Sequence, residues 1–454
     1  MKEMTTIAAV ATPPGEGGIA VIRVSGPEAF AVCDRVFSGG KPLSERPGYT
    51  MAFGKIVYEG RILDEVLASV MRAPHSYTGE HTVEISCHGG QLVTRGVLSA
   101  ILHNGAVLAG RGEFTKRAFL NGKLDLSQAE AVIDLIQAET DAAANLSVNQ
   151  LQGKLSAPIE EMRQEILGLA AHLDAMADFP DEGIDEAPND EIIEKLTELI
   201  GSLETMANRA EQGRLIREGI NTVIVGKPNV GKSSLLNVLS GTDRALVTQQ
   251  AGTTRDVIEE HIRLGDLRLN LFDTAGIRSN AEQIEEMGIQ KAKEYVQKAD
   301  LVFFVLDMSR PFETEDEEIF SLIQGKNTIF VLNKIDLEQK AVLSEQITNA
   351  TTVSISAKTG VGLKQLEKTV EEMFSLGSIV QKQEEAVINM RHKQAVLEAL
   401  SALKNALLTL EMGLPADLLS VDMHAALTSL GTITGQTVSD EIVEEIFSRF
   451  CLGK

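Results

Sequence analysis

The feature that most constrains the fold is a glycine-rich stretch in the middle of the chain. It reads Gly226-Lys-Pro-Asn-Val-Gly-Lys-Ser233 and fits the pattern G-x-x-x-x-G-K-[ST]. An apolar run, Thr222–Val225, precedes it, and a helix-forming run, Ser234–Leu239, follows it. In this context the glycines let backbone N–H groups surround phosphates, and the helix N-terminus adds its positive end. The stretch predicts a nucleotide site in which Lys232 reaches the β- and γ-phosphates and Ser233 is a Mg²⁺ ligand.

A second motif, Asp273-Thr274-Ala275-Gly276, follows the predicted strand Leu267–Phe272. Asp273 is suited to hold Mg²⁺ through water, and Gly276 to donate its N–H to the γ-phosphate. Between the two motifs, Gly252-Thr-Thr-Arg-Asp256 predicts a switch loop in which Thr254 is the second Mg²⁺ ligand. The order of these motifs indicates a phosphate-binding and phosphate-sensing site.

Two more motifs predict which base is bound. Asn333-Lys334-Ile-Asp336 follows the predicted strand Thr328–Leu332, and Ser356-Ala357-Lys358 ends the last one, Thr352–Ser356. A carboxylate at Asp336 can accept from both N1–H and the 2-amino group of guanine, whereas adenine offers neither donor. A buried acceptor left unpaired discriminates strongly, so we expect GTP rather than ATP.

The group that orients the attacking water is not evident from the motifs. Many small GTPases have Gln just after the second motif, but Ile277 stands there. Three acids farther along, Glu282, Glu285 and Glu286, could each position water, and the residues alone do not choose among them.

The domain organisation follows from changes in hydrophobic periodicity. Short β-type runs, Ile19–Val24 and Thr82–Ser86, indicate an α+β N-terminal domain. Long helices begin after Ser127, with apolar residues spaced helically from Ile159 to Leu173 and a second helix running to about Gln212.

Strands and helices then alternate, with a further strand at Leu301–Leu306, which predicts a mostly parallel sheet with helices on both faces. Helices resume at Glu384–Leu408 and Ser439–Phe450. The predicted domains are an N-terminal domain at 1–120, a helical domain at 121–217 and 378–454, and a GTPase domain inserted at 218–377.

Composition limits the partners and the compartment. The 42 Lys and Arg residues stand against 65 Asp and Glu, so the net charge is −23 and nucleic acid must be met by a local basic patch or a partner subunit. One candidate patch is Arg111–Lys123, although a solvated helix face explains its charge better. The scattered Cys33, Cys87 and Cys451 and the lack of a long apolar run predict a cytoplasmic protein without a membrane span.

The motif order, the switch loop and the terminal Phe450-Cys-Leu-Gly-Lys454 resemble the MnmE (TrmE) family of tRNA-modification GTPases. The resemblance runs from Ala11-Thr-Pro-Pro-Gly-Glu-Gly-Gly18 through Ala118-Phe-Leu-Asn121 to the C-terminus. It implies an N-terminal tetrahydrofolate-binding and dimerising domain, a helical domain and an inserted Ras-like G domain. It also implies a homodimer that works with the FAD- and NADH-dependent partner MnmG on tRNA.

In the family, such a complex installs an aminomethyl or carboxymethylaminomethyl group at C5 of the wobble uridine. The resemblance implies Mg²⁺, K⁺ and 5-formyl- or methylene-tetrahydrofolate as cofactors, with K⁺ in the role of an arginine finger between dimerised G domains. It chooses Glu285 as the residue that orients water, beside Lys232 and Thr254 in the catalytic set. The implied K⁺ ligands are Asn229, Thr248, Gln250 and Thr253, although Gln249-Gln250 departs from the family pattern.

Motifs and resemblance together assign the remaining site residues. The predicted GTP contacts are Asn229, Val230, Gly231, Lys232, Ser233, Ser234, Thr248, Thr253, Thr254, Asp273, Thr274, Ala275, Gly276, Asn333, Lys334, Asp336, Ser356, Ala357 and Lys358. The implied folate ligands are Arg23, Glu84, Lys123 and Lys454. Cys451 is a candidate for the modification chemistry, with a small apolar packing role as the alternative.

Two rival functions fit part of the pattern. A ribosome-assembly or signalling GTPase would carry a basic RNA-binding appendage, and the sequence has no such domain. A folate-dependent one-carbon transferase would not need the nucleotide motifs, yet all of them are intact.

Overall fold

The computed structural model describes residues 5–178, 189–241, 258–272, 293–374, 389–413 and 416–454. The chain divides into two compact units, one formed by Met1–Ile133, Leu151–Ile193 and Ser401–Lys454 and the other by Asp134–Gln150 and Glu194–Leu400. The domain limits predicted at residues 120, 217 and 377 do not coincide with these units and remain a prediction. No helix in the described part of the chain combines the length and the apolar composition that a bilayer crossing needs.

A seven-stranded sheet with the order β3-β4-β5-β6-β2-β1-β7 forms the first part of the first unit. Its strands are β1 Ile7–Val10, β2 Gly17–Ser25, β3 Phe37–Ser38, β4 Thr50–Tyr58, β5 Arg61–Met71, β6 Thr82–Gly89 and β7 Val107–Leu108. Neighbouring strands are antiparallel except β1 and β7, which are parallel. The two strands predicted here are confirmed as parts of β2 and β6.

One face of this sheet carries the main core under helices, and the other carries a smaller buried cluster in which Phe114 packs on Ile7 and Ala9 of β1. Ala20, Ile22 and Val24 alternate along β2 and are buried in the core that includes α1 (Ala29–Asp34) and α2 (Gln91–His103). The intervening Val21 and Arg23 are only partly buried because successive side chains of a strand point to opposite faces.

Helices dominate the next part of the chain. They are α3 Glu113–Leu120, α4 Leu126–Gln137, α5 Asp141–Leu151, α6 Ser156–Asp178 and α7 Asn189–Glu218. The predicted amphipathic helix is confirmed as α6, in which Ile159 and Ile166 are fully buried. The second predicted helix, α7, ends at Glu218 rather than near Gln212.

The later helices are α8 Lys232–Gly241, α9 Thr314–Leu322, α10 Glu345–Thr348, α11 Leu363–Met373, α12 Met390–Glu411, α13 Ala416–Thr434 and α14 Asp440–Ser448. α6 packs along α13, where Met423 and Leu430 are fully buried and Arg163 donates to the carbonyl of Leu427 at 3.4 Å. The predicted segments Glu384–Leu408 and Ser439–Phe450 correspond to α12 and α14, with residues 384–388 outside the described part.

The second unit contains a six-stranded sheet with the order β13-β12-β11-β8-β10-β9. Its strands are β8 Ile220–Val225, β9 Ile258–Leu264, β10 Leu267–Phe272, β11 Leu301–Asp307, β12 Thr328–Asn333 and β13 Thr352–Ser354. The neighbouring strands are parallel except β9 and β10, which confirms the mostly parallel sheet. β9 is the strand that the sequence pattern missed, because polar residues interrupt its apolar ones.

Both faces of the second sheet are covered. Along β11, Leu301, Phe303 and Val305 face a core shared with α8 and α11. Val302 and Phe304 face a second core that includes Ile347 of α10 and borders α9. All seven residues of β11 are buried, as is typical of a central parallel strand.

Candidate nucleotide site

The glycine-rich stretch leaves β8 and turns sharply before α8 begins at Lys232. Gly226 has a φ of +148° and Gly231 a φ of +103°, values that favour glycine. A β-carbon at Gly226 would lie 2.5 Å from the carbonyl oxygen of Val305, and one at Gly231 would overlap the side-chain amide of Asn333. The loop therefore needs glycine at both positions because it passes so close to β11 and β12.

Lys232 turns back over this loop. Its ammonium donates to the carbonyl oxygens of Gly226 at 2.6 Å and Lys227 at 2.8 Å. Burial lowers the pKa of Lys232 to about 8, because desolvation disfavours the charged form. Ser233 and Ser234 lie exposed in the first turn of α8, and Val230 is buried beneath the loop.

Asn333, at the end of β12, joins the glycine-rich loop to the loop after β13. Its side-chain amide donates to the carbonyl of Val230 at 2.9 Å, and its side-chain oxygen accepts from the N–H of Ala357 at 3.0 Å. Asn333 is only 2% exposed, so both contacts are shielded from water. The amide therefore fixes the spacing of two predicted site loops.

Lys334 extends this connection to β11. Its ammonium donates to the carbonyl of Asn229 at 2.8 Å and to Oδ2 of Asp307 at 2.6 Å. Burial alone would raise the pKa of Asp307, but hydrogen bonds from Lys334 and Ser309 leave it below its ordinary value. The carboxylate is therefore ionised and holds the Lys334 side chain against the loop.

Asp336 lies beside Ser356. The Ser356 hydroxyl donates to Oδ1 of Asp336 at 2.7 Å and accepts from the N–H of Thr359 at 3.3 Å. Asp336 is exposed, whereas Ser356 is 1% exposed. A buried hydroxyl thus orients an exposed carboxylate, and Lys358 lies exposed two residues beyond Ser356.

The structure brings two of the implied folate ligands into contact on the face of the first sheet that carries the Phe114 cluster. Arg23 and Glu84 are cross-strand partners on β2 and β6, and Arg23 Nε donates to Glu84 Oε1 at 2.8 Å. The Arg23 guanidinium also lies 5.5 Å from the ring centroids of Tyr77 and Phe114. Tyr77 is held by a hydrogen bond of 2.9 Å between its hydroxyl and that of Thr115, and burial raises its pKa.

The other two implied ligands lie on segments that adjoin these rings. Lys123 donates to the carbonyl of Pro74 at 3.3 Å, on the loop that carries Tyr77. The carbonyl of Lys454 accepts from the N–H of Phe114 at 3.2 Å. All four implied ligands therefore lie on, or contact, the segments that carry Tyr77 and Phe114.

The C-terminal tail is docked rather than frayed. Leu452 forms an antiparallel bridge with Arg111, and the N–H of Gly112 donates to the carbonyl of Cys451 at 3.4 Å. Gly453 has a φ of +90°, and a β-carbon there would overlap the carbonyl oxygen of Val10. Cys451 itself is exposed and unbridged.

The candidate basic patch at Arg111–Lys123 is not a free cationic surface. Arg117 points inward and is 7% exposed, and it pairs with Glu80 at 3.1 Å and Glu113 at 2.8 Å. Lys116 is paired with Glu444. Tertiary contacts thus neutralise Lys116 and Arg117, whereas Arg111 and Lys123 at the two ends of the segment are exposed, as a solvated face predicts.

Comparison with known proteins assigns the family. The model of the MnmE helical domain matches residues 126–451, and the model of the TrmE N-terminus matches residues 6–123. The chain is 45% identical to tRNA modification GTPase MnmE of Thermoanaerobacter pseudethanolicus over 99% of both chains. It belongs to the MnmE family of tRNA modification GTPases. The corresponding identities to the MnmE proteins of Acetivibrio thermocellus and Geobacillus thermodenitrificans are 42% and 44%, each over 100% of both chains.

Solved structures resemble parts of the chain. A variant of Era from Aquifex aeolicus bound to GDP and aluminium fluoride is 27% identical, covers 40% of this chain and 66% of its own, and has a TM-score of 0.26. The G domain of the T. maritima iron transporter FeoB is 25% identical, covers 34% of this chain and 98% of its own, and has a TM-score of 0.24. The α/β and α architecture of an MnmE protein, with a P-loop GTPase sheet between helical segments, matches the predicted fold class.

Several predicted residues of the MnmE site lie outside the described part of the chain. They are Thr248, Gln250, Thr253, Thr254, Asp273, Thr274, Ala275, Gly276 and Glu285, together with Ile277 and the alternative acids Glu282 and Glu286. Their roles stay predictions.

The sequence pattern missed two residues that the structure brings to these sites. Asp307 ends the wholly buried β11, and an acid at that end of a central parallel strand is a usable signal under the open-sheet rule. Tyr77 gave no such signal, because only the folded chain brings its ring beside Arg23.

Proposed function

We propose that the chain is a K⁺-activated GTP hydrolase that modifies C5 of the wobble uridine in certain tRNAs together with an FAD- and NADH-dependent partner of the MnmG type. The product is an aminomethyl or carboxymethylaminomethyl uridine, and a folate supplies the added carbon. One observation carries the nucleotide part. Asp336, oriented by Ser356 at 2.7 Å, stands at the same sheet edge as the glycine-rich loop. The MnmE name of relatives that are 45% identical supports the rest.

The glycine-rich loop and α8 bind the phosphates. Lys232 leaves the carbonyls of Gly226 and Lys227 and pairs with the β- and γ-phosphates, which offer it a full negative charge. Ser233, exposed in the first turn of α8, would hold Mg²⁺ with Thr254, and hydroxyl oxygen is a ligand that Mg²⁺ accepts. Bound Mg²⁺ neutralises phosphate charge. Asp336 accepts from guanine, while Asn333 and Lys334 keep the base loops at their spacing.

Hydrolysis uses groups other than the missing Gln. Glu285 orients the attacking water, and Thr254 completes the catalytic set. The exposed side-chain amide of Asn229 has no hydrogen-bond partner among the described residues. The backbone of Asn229 has a φ of +65°, and its carbonyl accepts from the Lys334 ammonium. Together with Thr248, Gln250 and Thr253, this amide would hold K⁺, a cation that stabilises charge near the β–γ bridge.

Folate binds at the neighbourhood of Arg23 and Glu84. A carboxylate accepts from the donor edge of a pterin, and arginine or lysine suits the glutamate carboxylates of folate. Lys123 and Lys454 are therefore assigned to the glutamate end. The exposed Cys451 lies close to Lys454 in the docked tail and is a candidate for the modification chemistry.

The exposed apolar residues that β4 and β5 place on this face of the first sheet support a homodimer. Met51 and Phe53 on β4 are 62% and 65% exposed, and Leu67, the cross-strand partner of Phe53, is 42% exposed. These residues form an apolar face that a second copy would bury. Residues 1–120 are thus proposed as the folate and dimerisation domain, 121–217 and 378–454 as the helical domain, and 218–377 as the G domain.

The tRNA contact needs local chemistry or the partner subunit, because the net charge of −23 repels a polynucleotide. A tRNA-modifying role also makes the cytoplasm the proposed compartment.

Two measurements test the proposal. In cells lacking this protein, mass spectrometry of tRNA should find wobble uridines without the C5 group, and the wild-type gene should restore the C5 group. Unmodified tRNA in both strains would contradict the tRNA role. Purified protein should hydrolyse GTP at least about tenfold faster in KCl than in NaCl. Equal rates would remove K⁺ from the proposal while leaving GTP binding intact.

A further inference from the structure

The side chain of Lys227, the second residue of the glycine-rich loop, points away from the nucleotide motifs and toward α9. Its ammonium lies 2.8 Å from Glu313 Oε2 and 2.7 Å from Asp316 Oδ2. The side chains of Lys227 and Asp316 are 12% and 4% exposed, so this contact is largely shielded from water. It joins residues that stand 86 and more positions apart in the chain.

Both acids also build the start of α9. Glu313 is the N-cap, its side chain accepts from the backbone of Asp316, and Asp316 Oδ2 accepts from the N–H of Glu313 at 3.0 Å. Oδ1 of Asp316 has no hydrogen-bond partner among the described atoms. A buried carboxylate is costly unless a cation compensates it, and Lys227 supplies that cation.

The main chain of Lys227 faces the nucleotide site. Its carbonyl and that of Gly226 are the acceptors that hold the Lys232 ammonium. One residue thus contacts the cap of α9 with its side chain and the phosphate-binding lysine with its backbone. Lys227 therefore connects the α9 cap to the first turn of the phosphate loop.

We propose that Lys227 is a positioning residue of the nucleotide site, fixing the first turn of the phosphate loop through its ion pairs with Glu313 and Asp316. The inference rests on the proposed function only in the choice of GDP as probe. Lys227 does not touch the reacting atoms; it sets the carbonyls from which Lys232 is released when phosphates bind. An ion pair that only capped α9 would stabilise the fold without changing nucleotide affinity.

The test compares fluorescently labelled GDP affinity with thermal stability of the nucleotide-free protein. Lys227→Met should weaken GDP binding by about tenfold, the effect of losing one charge-assisted contact. Lys227→Arg should restore binding to within about threefold, because arginine keeps both carboxylates paired. Glu313→Gln, at an exposed side chain, should fold normally and weaken GDP binding by about threefold.

A double-mutant cycle separates positioning from general damage. Lys227→Met combined with Asp316→Asn should bind GDP no more weakly than Lys227→Met alone, because both changes remove one interaction. Lys368→Met is the matched control, since Lys368 is a 67% exposed lysine that pairs with the exposed Glu372 at 3.3 Å on α11, and this variant should bind GDP normally.

Three results would overturn the inference. Lys227→Met could lower the unfolding midpoint and keep GDP affinity within about twofold of wild type, which would make the residue a structural cap only. Additive losses in the double variant would break the link to Asp316. Failure of the wild type to bind GDP would reject the nucleotide site itself and, with it, the role of Lys227. If the wild type binds GDP normally, a negative result with the variants rejects only the role of Lys227.

Discussion

At the scale of single residues, the proposed choice of base depends on the carboxylate of Asp336 and on the Ser356 hydroxyl beside it. Ser356 occupies Oδ1 of Asp336 and leaves the exposed side of the carboxylate for the base. An amide at this position would keep the bond from Ser356 through its oxygen but would present an NH₂ donor toward two guanine donors. A substitution at Asp336 should therefore change the choice between bases without unfolding the protein.

Asp336→Asn should lower GTP affinity by about 100-fold or more, because a donor would face the guanine donors in a contact from which the bound base excludes water. Binding of xanthosine triphosphate, which offers an acceptor at the same edge, should improve. Titration calorimetry with both nucleotides measures this. Glu338→Gln, at a side chain that is 85% exposed, is the control and should behave as wild type. Unchanged GTP affinity in Asp336→Asn would reject the assignment of the base pocket.

Lys232 predicts a pH dependence of nucleotide binding. Burial lowers its pKa to about 8 in the free site, and bound phosphates raise it again. Below about pH 8 the ammonium is charged in both states, so affinity should be constant. Above it, binding requires proton uptake, so affinity should fall by up to about tenfold per pH unit. Calorimetry in buffers of different ionisation enthalpy should detect uptake approaching one proton above pH 8 and almost none near pH 7; no uptake at either pH would contradict it.

At the scale of elements, strand ends and the C-terminal tail do most to assemble the sites. β8, β11 and β12 end side by side, which is why Asp307 meets Lys334 although the two are 27 positions apart. The tail brings Lys454 beside Phe114 by pairing with the segment before α3. Periodicity identified all strands of the second sheet except β9, in which the polar run Glu259-Glu260-His261 separates the apolar residues, but only β2 and β6 of the first sheet.

Gly453→Ala should undock the tail, since its φ is +90° and the new methyl group would meet the carbonyl oxygen of Val10. We expect binding of 5-formyltetrahydrofolate to weaken by about tenfold, from loss of the Lys454 contact, and GDP binding to stay unchanged. Gly413→Ala is a matched control, because its φ is +63° and its surroundings are open. Full folate affinity in Gly453→Ala would exclude Lys454 as a ligand.

At the scale of the whole molecule, the apolar face of the first sheet is the feature that predicts assembly. Ala52, between Met51 and Phe53, is 2% exposed, so the strand keeps a clean alternation with apolar residues on both sides. Exposed apolar residues that cluster on one sheet face cost solubility unless another surface covers them. Lys55 and Glu65, paired at 3.2 Å, mark where this face becomes polar.

Phe53→Asp should weaken self-association by at least about tenfold, because it introduces a charge into the centre of the apolar face. Sedimentation equilibrium measures the change, and circular dichroism checks that the variant folds. Val421→Asp, at an exposed apolar residue of α13 that is 66% exposed, is the control and should not alter association. A wild type that stays monomeric at all concentrations would reject the dimer.

The sequence alone determined the class of nucleotide site and the type of sheet around it. Phosphate binding by backbone N–H groups needs only glycines at set spacings between a strand and a helix, and this is local information. The family resemblance similarly rests on short motifs such as the terminal Cys451-Leu-Gly-Lys454.

Only the tertiary structure decided which charges meet. Arg117 lies in a segment for which the sequence predicted a basic patch or, better, a solvated helix face, and it is instead buried against Glu80. Lys227 belongs to the glycine-rich motif, yet its side chain pairs with Asp316 of α9. The docking of the C-terminal tail likewise depends on a tertiary contact, the close approach of Gly453 to the carbonyl oxygen of Val10. Strand order and burial set these pairings. A charge that folding removes from water needs an opposite charge nearby, and the packing of the elements decides which residue supplies it, even when the two are far apart in the chain.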